Sequence, residues 1–309
     1  MTAVTTWESG PVEGRAGYSW RHYDLAEAGA EAALAAEGLD PLVFAALTAP
    51  ETRPRCAAHG DGLLVNLRGV NLNPGAEPED MVSLRLWVTS AGVISAQLRR
   101  LRALGDVREG LERVPPDGPA ELVARIALRL ADRAEPVVAD LNEAIDGLED
   151  EMEDGSGQVT RAELSQLRRR AVQLRRYFFP QRDALSTFEI EDATWIRPHD
   201  RLRLREATER VTRIGEELDA IRDRAQLVQE QIMDARAERM NRQMMVLSVA
   251  AALFLPLGLI TGLLGINVAG IPGTETPWAF WAVCALLVVV SVGQIWAFWW
   301  IGLIGRRRD

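Results

Sequence analysis

Phe254-Leu255-Pro256-Leu257-Gly258-Leu259-Ile260-Thr261-Gly262-Leu263-Leu264-Gly265-Ile266-Asn267, continued by Val268-Ala269-Gly270-Ile271-Pro272-Gly273, decides how the chain is read. The stretch closes one uncharged segment and leads through a short loop into a second. Gln243 to Thr274 and Thr276 to Gly305 carry no charge, and only Glu275 separates them, whereas charged residues crowd positions 99 to 242. A 309-residue chain of formal net charge −9 with that internal contrast is not a single soluble globule. What precedes the stretch feeds a membrane hairpin.

Drawn as helices, Met244 to Ile266 covers roughly 35 Å and Trp278 to Ile304 more, against a hydrocarbon core of about 30 Å, so both should cross. Arg236, Arg239 and Arg242 precede the first span, and Arg306, Arg307 and Arg308 follow the second. The connection Val268 to Pro277 has no basic residue. The positive-inside rule then puts both termini in the cytoplasm and the loop outside. Trp296, Trp299 and Trp300 cluster at the cytoplasmic end of the second span, which reads as uniformly apolar and lipid-facing. The first span carries small and polar residues at seam spacing: Asn241, Met244, Ser248, Ala251, Leu255, Gly258 and Gly262. Gly258 and Gly262 form a GxxxG pair, which serves helix dimerisation as readily as a pore lining. Asn267, a polar residue at the outer end of the span, tips the reading toward a pore.

Upstream, Leu204, Ala207, Val211, Ile214, Leu218, Ile221, Ala225, Val228, Ile232 and Ala235 recur with three-four spacing, one seam of a heptad. No breaker intervenes before Pro256. A helix from about Asp200 to Ile266 would be on the order of 100 Å long, enough for a cytoplasmic stalk and a bilayer crossing. Before it, Pro119 and Pro136 punctuate a helical segment whose acids culminate in Glu149, Asp150, Glu151, Glu153 and Asp154 ahead of Gly155-Ser156-Gly157. Thr160 and Glu163 form a capping-box pattern opening an Arg-rich helix that stops near Pro180. An antiparallel pair with an acidic and a basic arm results. The acids read as a solvated helix face or as a cytoplasmic cation sensor, since clustered carboxylates are the hard oxygen ligands divalent cations take. Nothing in their spacing fixes a coordination site. Nucleic acid does not suit the basic arm, whose acidic neighbour repels phosphate and which has few interleaved aromatics.

Residues 23 to 49 predict two short helices, the second capped by Asp40 with Pro41 in its first turn. Alternation over Leu63, Val65 and Leu67, over Val82, Leu84, Leu86 and Val88, and from Val93 to Ala96 predicts a small, mostly antiparallel, half-buried sheet with helices around it. There is no glycine-rich phosphate loop, nucleophile elbow or histidine paired with a reactive group, so the chain does not read as an enzyme. His22, His59 and His199 are scattered and suit packing or surface roles. Cys56 and Cys284 form no CxxC and read as incidental thiols. Met1 to Gly17 has no apolar core of signal-peptide length, so the first 240 residues should stay in the cytoplasm.

Gly265-Ile266-Asn267 after Phe254-Leu255-Pro256 and Thr261-Gly262, with the Gly270-Ile271-Pro272-Gly273 tail, resembles the CorA/ZntB family of divalent metal-ion transporters, in its ZntB-like branch. The usual family signature is Gly-Met-Asn; here Ile266 replaces methionine. Leu86-Trp87-Val88-Thr89 with a helix from Gln97, the Trp195 region and the stalk are similar to ZntB-like chains as well. The resemblance implies a funnel-shaped homopentamer of the bacterial inner membrane whose partners are itself, membrane lipid and divalent metal ions. It needs no cofactor beyond the transported cation, for which Zn2+ is the family expectation and Mg2+, Co2+ or Ni2+ the alternative. Carried over by position, Gly265, Ile266 and Asn267 form the mouth, with Asn267 meeting a hydrated ion through water. Asn241, Met244, Leu247, Leu255 and Gly258 line the conduit. Gly258 stands where many Mg-type members have a threonine.

The conduit has no Cys or His, the usual zinc ligands, and suits an ion that keeps its water. Neither span contains Asp, Glu or His, so proton coupling would have to use other groups. The expected fold is an α+β cytoplasmic domain over 1–198, the cytoplasmic part of the long stalk helix over 199–242 and a first transmembrane helix over 243–267. A periplasmic loop over 268–277, a second transmembrane helix over 278–304 and a tail over 305–309 complete it. A membrane-anchored coiled-coil scaffold is the reading from another class.

Overall fold

The computed structural model describes residues 3–9, 17–50, 52–153, 161–266, 271, 273 and 275–301. Two compact units divide at Gln229 and Glu230. The N-terminal unit is built on a six-stranded sheet of order β1-β2-β6-β5-β4-β3, comprising β1 (Val4–Glu8), β2 (Ser19–Asp24), β3 (Arg55–His59), β4 (Gly62–Gly69), β5 (Val82–Thr89) and β6 (Gly92–Gln97). Every pairing is antiparallel except β2 with β6, where Ser19 aligns with Gly92 and Asp24 with Gln97. Gly92 is required there, because a Cβ would collide with the Ser19 carbonyl oxygen.

The central strands β4, β5 and β6 are buried on both faces rather than half buried, while the edge strands β1 and β3 stay partly exposed. One face packs under α1 (Ala30–Ala35) and α2 (Pro41–Thr48), where Leu34, Val43 and Leu47 meet Tyr23, Trp87 and Ile94. The Asp40 side chain accepts from the Leu42 N–H at 2.8 Å and caps α2 as its sequence predicts. Behind the other face lie α3 (Arg102–Leu111) and α4 (Pro119–Glu153), with Leu101 and Leu130 so close to Gly69 that a Cβ there would collide with both. The chain leaves β6 at Gln97 and enters α3 only at Arg102, so the helix expected from Gln97 starts later.

On that second face His22 is fixed by a relay. Trp20 Nε1 donates to Ser95 Oγ at 2.8 Å, and the same hydroxyl is hydrogen-bonded to Nδ1 of His22, also 2.8 Å away. Burial, reinforced by the Arg108 guanidinium, lowers the His22 pKa to about 3. The unfolded chain, with an ordinary histidine pKa near 6.5, therefore binds more protons between those values. Stability should be intact above pH 6.5 and fall toward pH 3, by up to about 1.4 kcal/mol per pH unit from this group. Denaturant midpoints measured from pH 7 to 4 should show that slope, and His22→Gln should flatten it; an unchanged slope would assign the acid sensitivity elsewhere.

Proline does not stop the helices as its sequence position suggests. α4 runs through Pro136, and α5 (Arg161–Ile190) runs through Pro180. An interior proline costs about 3 kcal/mol. Around Pro180 the buried Phe178, Gln181, Ala184 and Leu185 pack on both sides of it, and that burial outweighs the lost bond. Thr160 of the expected capping box lies outside the described residues.

The third long helix, α6 (Pro198–Leu264), has 67 residues, about 100 Å at 1.5 Å per residue. Its seam is buried from Leu204 through Val228; Ile232 is half buried and Ala235 exposed. Within the N-terminal unit α6 is tied to α4 through Arg210 to Asp132 and Arg224 to Asp146 and Glu149, and to α5 through Asp219 to Arg175. Asp132, Asp146 and Glu149 of the acidic arm are thus paired with arginines of α6. Burial pushes the Cys56 thiol up to about 12, consistent with an unreactive packing residue.

Candidate functional site

The C-terminal unit holds the outer part of α6 and α7 (Ala279–Trp300), and both helices are long and apolar enough to cross a bilayer. At 22 residues α7 is about 33 Å long. Aromatic residues mark both ends of it: Trp278 and Trp281 at the start, Trp296, Trp299 and Trp300 at the finish, all exposed as interfacial indoles require.

Burial divides α6 into two stripes. Val249, Ala250, Leu253, Pro256, Leu257 and Ile260 are half buried, and on α7 the half-buried set Val283, Cys284, Leu287, Ser291 and Gln294 has the same three-four spacing. These stripes are the hairpin contact. Met244, Ser248, Ala251, Leu255, Gly258 and Gly262 are exposed. At about 100° per residue they centre roughly 180° from the first stripe. The seam of small and polar residues therefore faces away from α7, and a Cβ on Gly258 or Gly262 would touch nothing. Asn241 and Leu247 flank the same open side and are exposed.

α6 continues through Pro256, which has no N–H to offer the carbonyl four residues back, that of Ala252. Gln294 of α7 supplies the missing donor: its Nε2 meets the Ala252 oxygen at 3.2 Å. In hydrocarbon no water can do this. The second span is accordingly not uniformly apolar. Gln294 and Ser291 are its polar residues on the contact stripe, and Ser291 Oγ is satisfied by the Leu287 carbonyl at 2.8 Å. The signal was in the sequence: one amide in an apolar span, and one proline in the span before it.

The helix ends at Leu264, and the Gly265 N–H bonds to the Gly262 carbonyl at 3.2 Å. A Cβ at Gly265 would lie 3.0 Å from the Thr261 carbonyl oxygen, so glycine suits the tight exit. Ile266 is exposed at the tip, and Asn267 lies outside the described residues. On the return, Gly273 turns at φ 90°, with its carbonyl accepting from the N–H and Oγ1 of Thr276 at 3.0 and 2.7 Å.

The acidic end of α4 does not gather into a ligand set. Glu149 is engaged by Arg224, Nε to Oε1 at 3.0 Å, and these contacts with Asp146 and Glu149 raise the Arg224 pKa. Asp150 and Glu151 point outward, Glu153 ends the helix, and Asp154 lies outside the described residues. Among the described residues no three His, Cys, Asp or Glu side chains converge as a metal site.

A family model described as CorA-like Mg2+ transporter protein matches residues 15–307. The chain is 41% identical over 283 residues to the divalent cation transporter CmaX of Pseudomonas aeruginosa, covering 90% of this chain and 85% of the relative. It is 36% identical over 253 residues to the zinc transport protein ZntB of Pectobacterium carotovorum, covering 81% and 77%. The solved structure of full-length CmaX aligns with a TM-score of 0.77 at 40% identity, over 91% of this chain and 88% of that one. A stalk helix that becomes the first of two closing apolar helices, with matches over nearly the whole length, leads to one statement: the chain belongs to the CorA/ZntB family, on its ZntB-like branch.

Proposed function

We propose that the chain carries divalent metal cations, Zn2+ first among them, across the bacterial inner membrane through a pore that copies of α6 build together as a homopentamer, in the funnel arrangement the family resemblance implies. The observation that carries this reading is the open stripe of α6. A seam of small and polar residues directed away from the helix's own hairpin partner has no use in a single chain, and close packing of several copies would use it. On this reading Met244, Leu247, Leu255 and Gly258 line the conduit, with Asn241 at its inner end and Gly265, Ile266 and Asn267 at the mouth. Both termini are cytoplasmic, and the segment divisions at 198, 242, 267, 277 and 304 belong to the same proposal.

The lining chemistry is aliphatic and amide, without thiol or imidazole. Such a conduit passes an ion by letting it keep its water, with Met244, Leu247 and Leu255 as constrictions that wet and dewet. Inward passage of a divalent ion gains roughly 4.6 kcal/mol per 100 mV of inside-negative potential, twice the single-charge value. A cytoplasmic cation acting at Glu149, Asp150, Glu151, Glu153 and Asp154 would have to displace Arg224 from Glu149.

The test is flux in vesicles loaded with a zinc-sensitive dye, run with Zn against Mg and with and without a pH gradient. Wild type should admit zinc, and Asn267→Ala should reduce the rate at least tenfold. Absence of divalent flux in wild type would overturn the transport reading, and unaltered flux in Asn267→Ala the role of the mouth.

A further inference from the structure

Arg85, in the middle of β5, is 1% exposed, and its donors are not all used. Nη2 donates to the Pro50 carbonyl oxygen at 3.1 Å, while Nε and Nη1 are buried with no acceptor. A guanidinium cannot shed its charge at any physiological pH, so unmet buried donors are a standing cost unless something brings oxygen to them. Burial and the nearby Arg68 guanidinium both pull the Arg85 pKa below the ordinary arginine value, the direction expected of a cation short of a counter-charge.

Arg85 lines a cavity of about 430 Å³ in the N-terminal unit, together with Arg68, Arg99, Arg176 and Tyr177. Arg68 shapes the wall. Its Nε and Nη2 donate to the Thr52 carbonyl at 3.0 and 2.7 Å and Nη1 to the Met81 carbonyl at 3.0 Å, while the group lies 4.2 Å from the centre of the Tyr177 ring. Arg99 and Arg176 are exposed at the rim. Two carboxylates share the lining, Glu79 and Asp80, and Glu79 is paired with Arg170 at 3.2 Å. Among the described lining residues guanidinium groups outnumber carboxylates, which favours an anion over a cation. A tetrahedral oxyanion carries several strong acceptor oxygens, any of which can meet one of the unmet Arg85 donors as a charge-assisted hydrogen bond. The volume exceeds that of a bare ion and falls in the range of small-ligand sites.

We propose that this cavity is an anion site for a phosphate dianion, free or as the head of a small phosphorylated molecule, with the unmet donors of Arg85 as its anchor and Arg99 and Arg176 as its rim. None of the lining residues is among those assigned to the cation path, and binding is read without transport, so its failure and that of the transport reading are distinguishable.

The test is calorimetric titration of the full chain in detergent with inorganic phosphate and with glycerol 3-phosphate, using sodium chloride at matched ionic strength as control. Saturable binding of either phosphate compound, weakened at least tenfold in Arg99→Gln/Arg176→Gln and lost in Arg85→Gln, is the expected result. Tighter binding of inorganic phosphate identifies the free ion, and tighter binding of glycerol 3-phosphate the phosphorylated molecule. Should Arg85→Gln misfold, the exposed double variant decides alone. No saturable heat from either compound at millimolar concentration, equal heat from chloride, or undiminished binding in the double variant would overturn the proposal.

Discussion

Asp200→Ala should lower the thermal midpoint of the N-terminal unit by roughly 6–12 °C, a loss of about 3 kcal/mol at 2–4 °C per kcal/mol. Asp200 is 0% exposed in the first turn of α6. Its Oδ2 accepts from the backbone N–H of Arg197 at 3.0 Å and from Nε at 2.9 Å, and Oδ1 accepts from Nη2 at 2.8 Å. One carboxylate thus ends the loop before the helix and holds the arginine that reaches Asp117, 3.5 Å away, just ahead of α4. Contact with Asp200 raises the Arg197 pKa, and removing the carboxylate leaves a partly buried cation with a distant partner. The figure is set at the low end of the 3–5 kcal/mol typical for breaking buried pairs, because the Arg197 side chain is a quarter exposed. Asp200→Asn keeps an oxygen acceptor and should lose less. A change under about 2 °C in Asp200→Ala, followed by circular dichroism of the full chain, would mean that packing of the seam alone fixes the start of α6.

Asp200 also illustrates what the sequence told and what it withheld. The seam Leu204 to Val228, the apolar spans and the strands β4, β5 and β6 rest on periodicity, a local property, and each is found where its residues predict. The strands β1, β2 and β3 are short, with Trp20, His22 and Cys56 where a clean alternation would have branched aliphatics, and β2 is placed by its parallel pairing with the distant β6. The breaks expected at Pro136 and Pro180 failed for the same reason: proline's cost is local, and the burial that offsets it is not. At the candidate site the stripe of α6 was legible because helical spacing alone puts Met244, Ser248, Ala251, Leu255, Gly258 and Gly262 on one face. The donor for Ala252 was not, since Gln294 lies 42 residues further on and meets that carbonyl only once the hairpin closes.

That contact supports the second large effect. Gln294→Leu should destabilise the closed hairpin by about 1–2 kcal/mol, the range for polar contacts between helices in lipid. Pro256 leaves the Ala252 oxygen without its helical donor in a medium that has no water to replace it. The Oε1 of Gln294 is itself buried with no partner, so half of this amide is a cost and the half that meets Ala252 is its return. A double-mutant cycle separates this role from generic packing. In Pro256→Ala the residue-256 N–H is restored and can bond to the Ala252 carbonyl within α6, so Gln294→Leu in that background should cost close to nothing, or even stabilise by removing the unmet oxygen. Detergent-driven unfolding followed by tryptophan fluorescence measures both steps, and equal losses in the two backgrounds would sink the assignment. The consequence for transport follows from geometry: Pro256 lies between Leu255 and Gly258 in sequence and on the opposite face of α6, so whatever holds the helix together at Ala252 also aims the outer half of the stripe. Zinc flux should therefore fall in Gln294→Leu and recover in Gln294→Leu/Pro256→Ala, a pattern that loss of a lipid-facing contact would not produce.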